Sequence, residues 1–153
     1  MPLPNIFDLQ ISEAIITRIQ SLTPQTPSKW GKMNVSQMLA HCNVTYEMIY
    51  ETKHKKPNFF IRFILKLFVK KTVTSDTVVY KPNSPTAPEF IISSTKEFEA
   101  EKIRLIAFIR QTQQAGETFF EGKESLSFGI LSKNEWNNLM YKHLEHHLQQ
   151  FGA

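Results

Sequence analysis

Ser132-Lys133-Asn134-Glu135-Trp136-Asn137-Asn138-Leu139-Met140-Tyr141-Lys142-His143-Leu144-Glu145-His146-His147-Leu148-Gln149-Gln150-Phe151 reads as one helix. Ser132 and Glu135 have capping-box spacing, so each side chain can satisfy a free backbone N–H at the helix start. At 3.6 residues per turn, Trp136, Met140, His143, Leu144, His147 and Phe151 fall on one side. His147 lies about 40° round from His143, so both imidazoles can reach one metal ion from a single helix. His146 is about 100° from His147, on the rim of that side. Two histidines in an apolar stripe need polar partners, because burying an unsatisfied imidazole is costly. A metal ion would satisfy both; so would each other, water or a carboxylate.

Working back along the chain, Ser94 and Glu97 repeat the capping-box spacing and predict a long helix to about Ala115, stopped by Gly116. Residues 117–131 read as a loop. Lys81-Pro82-Asn83-Ser84-Pro85-Thr86-Ala87-Pro88 is a connector that no helix survives, and the Thr- and Val-rich 72–80 segment suits an extended chain. Phe59 to Val69 is apolar except for Arg62 and Lys66; with Lys70 these cations form one stripe on a short basic helix. Asn34 and Gln37 predict the start of a helix that runs to about Thr52, with Val35, Met38, Leu39, Cys42, Tyr46, Ile49 and Tyr50 on its main apolar face. Leu9, Ile11, Ile15, Ile16, Ile19 and Leu22 mark the first helix, over about 7–22. The expected fold is all-α: a four-helix bundle with an extra short basic helix and long connectors, one domain over residues 1–153.

The 153 residues, 41% hydrophobic and 21% charged, suit one globular domain with a substantial core. A net charge of +4 is too small to argue for nucleic acid. The single cysteine, Cys42, excludes an internal disulfide and a cysteine-rich zinc site, and its place on an apolar face marks it as core. The N-terminus lacks the features of a signal peptide, and no run of about twenty apolar residues is present. The expected location is cytoplasmic. Residues 59–71 are expected to pack on the bundle with Arg62 and Lys66 snorkelling, rather than to lie on a membrane.

The candidate third ligand is His41, about 100° from the centre of its helix's apolar face. Its competitor, His54, sits among lysines in a polar break and reads as solvated. Three neutral imidazoles with an open position suit a catalytic metal. The H-E-x-x-H and H-x-x-E-H motifs are absent, since position 144 is Leu and position 146 is His. No general base can be named from the sequence.

Two stretches carry a resemblance. Phe128-Gly129, Leu131-Ser132, Glu135-Trp136 and the run from Tyr141 to Gly152 form one; Trp30-Gly31, Met33-Asn34 and Gln37-Met38-Leu39-Ala40-His41-Cys42 form the other. Together they resemble the DinB-like (YfiT-like) superfamily of metal-binding four-helix bundles, and within it an uncharacterised bacterial subgroup. The resemblance implies that one histidine of an early helix and an H-x-x-x-H pair of the last helix hold a divalent metal. By position these are His41, His143 and His147. It also implies a metal, zinc or nickel foremost, that activates a low-molecular-weight thiol or water for transfer or hydrolysis on a small-molecule substrate. The chain departs from the subgroup at Ser125-Leu126-Ser127, where His-Pro often precedes the Phe-Gly step. The alternative expectation is a non-catalytic binding module, metal-stabilised or metal-free, for which a homodimer is one form.

Overall fold

The computed structural model describes residues 2–153. Its helices are α1 (Leu9–Gln20), α2 (Val35–Tyr50), α3 (Phe59–Phe68), α4 (Lys70–Thr74), α5 (Phe98–Phe120) and α6 (Lys133–Gln150). A 3₁₀ turn covers Pro88–Phe90, and a short hairpin, β1 (Glu124–Ser125) and β2 (Gly129–Ile130), precedes α6. The hairpin pairs Glu124 with Ile130 and Ser125 with Gly129, antiparallel. The fold is an all-α bundle in which α5 packs on α1 and α2, and α6 packs on α1, α2 and α5.

Local chemistry sets the helix starts. Ser132 Oγ accepts from the Glu135 N–H while Glu135 Oε2 accepts from the Ser132 N–H. Asn34 and Gln37 make the same reciprocal pair ahead of α2. The core then joins Ile15, Ile16 and Ile19 of α1, Met38, Leu39 and Tyr46 of α2, Leu105 and Ile109 of α5, and Trp136, Met140, Leu144 and Leu148 of α6. Cys42 is among them, its Sγ 3.7 Å from Met38 Sδ, and burial pushes its thiol up, far from the reactive range. Helix α2 is buried continuously from Met38 to Glu47, which makes it the central helix of the bundle.

Three expectations about helix bounds are corrected. First, Ser94 caps nothing: α5 begins at Phe98 behind Glu97, and the Ser94 carbonyl instead accepts from Gln37 Nε2 at 3.4 Å. Second, Gly116 interrupts α5 without ending it. Its φ of 72° breaks the helix, and one more turn reaches Phe120. Phe120 anchors that turn in the core, with ring centroids 5.1 Å from Phe7 and 5.6 Å from Trp136. The expected loop over 117–131 therefore holds a helical turn and a hairpin. Third, the expected extended segment over 72–80 begins as helix: Thr72 to Thr74 complete α4, and only the chain beyond Thr74 is non-helical. Side chains of α6 hold the C-terminal carbonyls of α4: Lys142 Nζ donates to Thr72 O at 2.5 Å, and Asn138 Nδ2 to Thr74 O at 2.8 Å.

The short basic helix α3 forms as expected, with Asn58 Oδ1 accepting from the Ile61 N–H at 3.0 Å. Its orientation does not match expectation. Arg62 turns inward to Glu124 at 2.9 Å, and the phenylalanines turn outward, leaving no residue of α3 buried. The anion that draws Arg62 inward sits in the hairpin, 62 residues away in sequence.

Candidate metal centre

The interior of α6 and the centre of α2 meet at three imidazoles. His41 Nε2 lies 2.9 Å from His143 Nε2, and the ring centroids of the three pairs among His41, His143 and His147 are 4.5–4.9 Å apart. One ring nitrogen from each lies within 4.8 Å of those of the other two. His41 and His147 are buried and His143 is partly so. The position of His41 is explained by the burial of α2 on all sides. A flank of that helix meets other protein, here α6 and the 3₁₀ turn, rather than water.

The outer nitrogens fix the tautomers. His41 Nδ1 lies 2.7 Å from the Phe90 carbonyl, which only accepts, so Nδ1 carries the proton and Nε2 presents a lone pair. His147 Nδ1 lies 2.7 Å from Gln150 Oε1. Gln150 cannot be reversed, because its Nε2 donates to the Trp30 carbonyl at 2.8 Å. His147 Nε2 is therefore also a bare acceptor. His143 Nδ1 is met by Thr45 Oγ1 at 3.2 Å. A hydroxyl accepts or donates, so His143 alone can either give an Nε2 proton to His41 or join the others as a third lone pair.

The donor set fits a divalent metal. Each inner nitrogen is backed by an outer partner that orients the ring, as metal-bound histidines require. Burial lowers the pKa of all three: His41 below its ordinary value, His143 well below, and His147 to about 3, with the neighbouring imidazoles adding to the effect. They are neutral at physiological pH, which is the ligating form. Three nitrogens and no sulfur suit zinc, nickel, copper or iron.

His54 is not the solvated residue the sequence suggested. Its Nε2 lies 2.7 Å from Glu47 Oε2, its side chain is 11% exposed, and it is not one of the three clustered histidines. His146 stays at the rim, its ring 5.0 Å from His147, 5.7 Å from Trp30 and 5.6 Å from Tyr80. Burial lowers its pKa too, so a fourth neutral imidazole stands beside the triad. Glu145 faces away and pairs with Arg18 at 2.5 Å.

The triad opens on a cavity of about 1290 Å³. Its walls come from α2, α6, the α3–α4 arm and the 78–93 connector, with Ile49, Val69, Val73, Phe90, Phe128 and Leu139 among the apolar side chains. Lys32 and Lys81 are its only charged lining residues among those described, and no carboxylate lines it. The stretch Ser125-Leu126-Ser127 also lines it. Sequence reasoning missed this wall, because the connector and the α3–α4 arm carry no motif that announces a cavity.

The chain belongs to a family described as "Protein of unknown function (DUF1569)", which it matches over residues 5–153. No curated protein and no solved structure matches it.

Proposed function

We propose that this member of a family of unknown function holds one divalent metal through His41, His143 and His147, and acts on a small molecule bound in the adjoining cavity. The observation that carries the reading is the convergence of three neutral imidazoles whose outer nitrogens are engaged by Phe90, Thr45 and Gln150. Zinc or nickel, when bound, supplies Lewis-acid chemistry: it polarises a carbonyl, or makes a thiol or water nucleophilic at neutral pH. The chain's own residues do the rest. The apolar walls bind the body of the substrate and exclude water, and Lys32 and Lys81 favour a neutral or anionic substrate over a cationic one. His146, which lines the cavity beside the triad, is the side chain placed to take up a proton from a bound molecule.

The arrangement of one histidine from an early helix and two from the last supports membership of the DinB-like superfamily, and with it transfer to or from a thiol, or hydrolysis. One observation favours a second reading, a metal-stabilised binding module: no carboxylate lines the cavity to serve as a general base.

Zinc titration calorimetry separates the roles. The wild type binds one equivalent. Gln150→Ala, which frees the outer nitrogen of His147, weakens binding by roughly 10–100-fold, while His146→Ala leaves it unchanged. If the zinc-loaded wild type consumes a low-molecular-weight thiol in the presence of an electrophile, or hydrolyses an activated ester, and His146→Ala does not, the enzymatic reading stands. Equal zinc affinity in wild type and Gln150→Ala contradicts the site. Zinc binding without turnover of either kind moves the binding module to first place.

A further inference from the structure

Helix α3 is built inside out. Its inward arc carries Arg62 and Leu65, with Arg62 sharing Glu124 with Lys56 at 2.9 and 2.7 Å. The remaining arc, about 200° wide at 100° per residue, holds Phe59, Phe63, Leu67, Phe60, Ile64, Phe68 and Ile61. All seven are exposed, Phe59 by 86%, Phe60 by 71% and Phe68 by 67%. The main packing partner of α3 is the five-residue α4, so the bundle leaves this arc uncovered. A contiguous patch of this kind marks an interaction surface rather than ordinary surface variation.

We propose that this face docks on an anionic lipid surface. Three observations select that partner. The hydrocarbon is aromatic and aliphatic with no polar side chain interrupting the arc, the composition of a helix that lies in the interfacial plane. Exposed lysines bracket it: Lys55 ahead of the helix, Lys66 on its edge and Lys71 beyond it, none of them in an ion pair among the described residues. A second copy laid face to face would bring these cations against their own counterparts, whereas anionic headgroups complement them. No helix among the described residues is long and apolar enough to cross a membrane, so the contact is peripheral. The same arm lines the cavity through Leu65 and Val69. Docking α3 therefore brings the arm that forms one wall of the cavity close to the bilayer. This inference stands on exposure and charge and does not depend on a bound metal.

The test is co-sedimentation of the full chain with vesicles of phosphatidylcholine alone, or with about one third phosphatidylglycerol. The wild type pellets with the anionic vesicles, pellets less with the neutral ones, and is released in part by salt. Phe60→Glu with Phe63→Glu cuts partitioning by roughly a hundredfold, since two buried rings are lost and two like charges gained. Both positions are exposed, so the thermal unfolding curve stays in place. A wild type that stays in the supernatant with anionic vesicles overturns the proposal, as does equal pelleting of the double variant. A concentration-dependent dimer in light scattering, abolished by the same double variant and accompanied by no vesicle binding, assigns the face to a second copy instead.

Discussion

Loading the protein with zinc or nickel at about a thousand times its Kd raises its stability by about 4 kcal/mol. In a domain of this size that shifts the unfolding midpoint upward by roughly 8–16 °C. The gain arises because the three inner nitrogens converge only in the folded chain. His41 comes from α2, and His143 and His147 come from α6, 102 and 106 positions further on. The unfolded chain offers no such set, apart from the weak local pair in α6. His143→Ala removes the imidazole whose Nε2 faces His41 at 2.9 Å, and is expected to abolish most of the shift. Calorimetric melting of wild type and variant, each with and without metal, checks this. A shift of equal size in both would place the metal elsewhere.

The second large effect lies at Glu47, on the same helix as His41. Burial works to raise its pKa, but hydrogen bonds from His54, Arg104 and Lys53 outweigh it and hold the carboxyl at about 2, against an ordinary 4.5. The folded value is the depressed one. The stabilisation is therefore complete above about pH 5 and is lost as pH falls towards 2. Its size is of order 2 kcal/mol once the partial exposure of Arg104 and Lys53 is allowed for. Urea unfolding of metal-free wild type and Glu47→Gln isolates it. The wild type leads at pH 7, and the gap closes between about pH 5 and 2.5. A gap that stays constant over that window would show that ionisation of Glu47 is not its cause.

Much of the fold was legible because the relevant signals are local. The Ser132–Glu135 and Asn34–Gln37 boxes fix two helix starts to the residue, and the apolar spacing of α1, α2 and α6 identifies their core faces. The spacing of His143 and His147 was legible for the same reason. His41 was a weaker inference. Its angle put it on a flank, and only the enclosure of α2 by its neighbours turns that flank into a cavity wall.

Other features depend on distant residues, and periodicity does not encode them. Ser94 and Glu97 have capping spacing, yet Gln37 takes the Ser94 carbonyl and α5 starts later. Gly116 has the character of a helix stop, but Phe120 finds a place beside Phe7 and Trp136, and that packing carries the chain one more turn. His54 reads as a solvated loop residue until Glu47, seven positions back, binds it. Amphipathicity showed that α3 has two sides without saying which faces the protein; Glu124 decides that. The cavity is likewise a product of long-range packing, because its outer wall consists of connector and arm residues that meet the triad only in the folded chain.

The metal site is tested most simply by the metal content of freshly purified protein, wild type beside His41→Ala, by elemental analysis. His41 is the member of the triad supplied by a different helix, so the comparison probes the assembled site rather than a local pair on α6. About one equivalent of zinc or nickel is expected in the wild type, or its uptake when either ion is added, with its loss in His41→Ala. A wild type that binds neither ion after both are offered, or a variant that retains the full equivalent, would contradict the site.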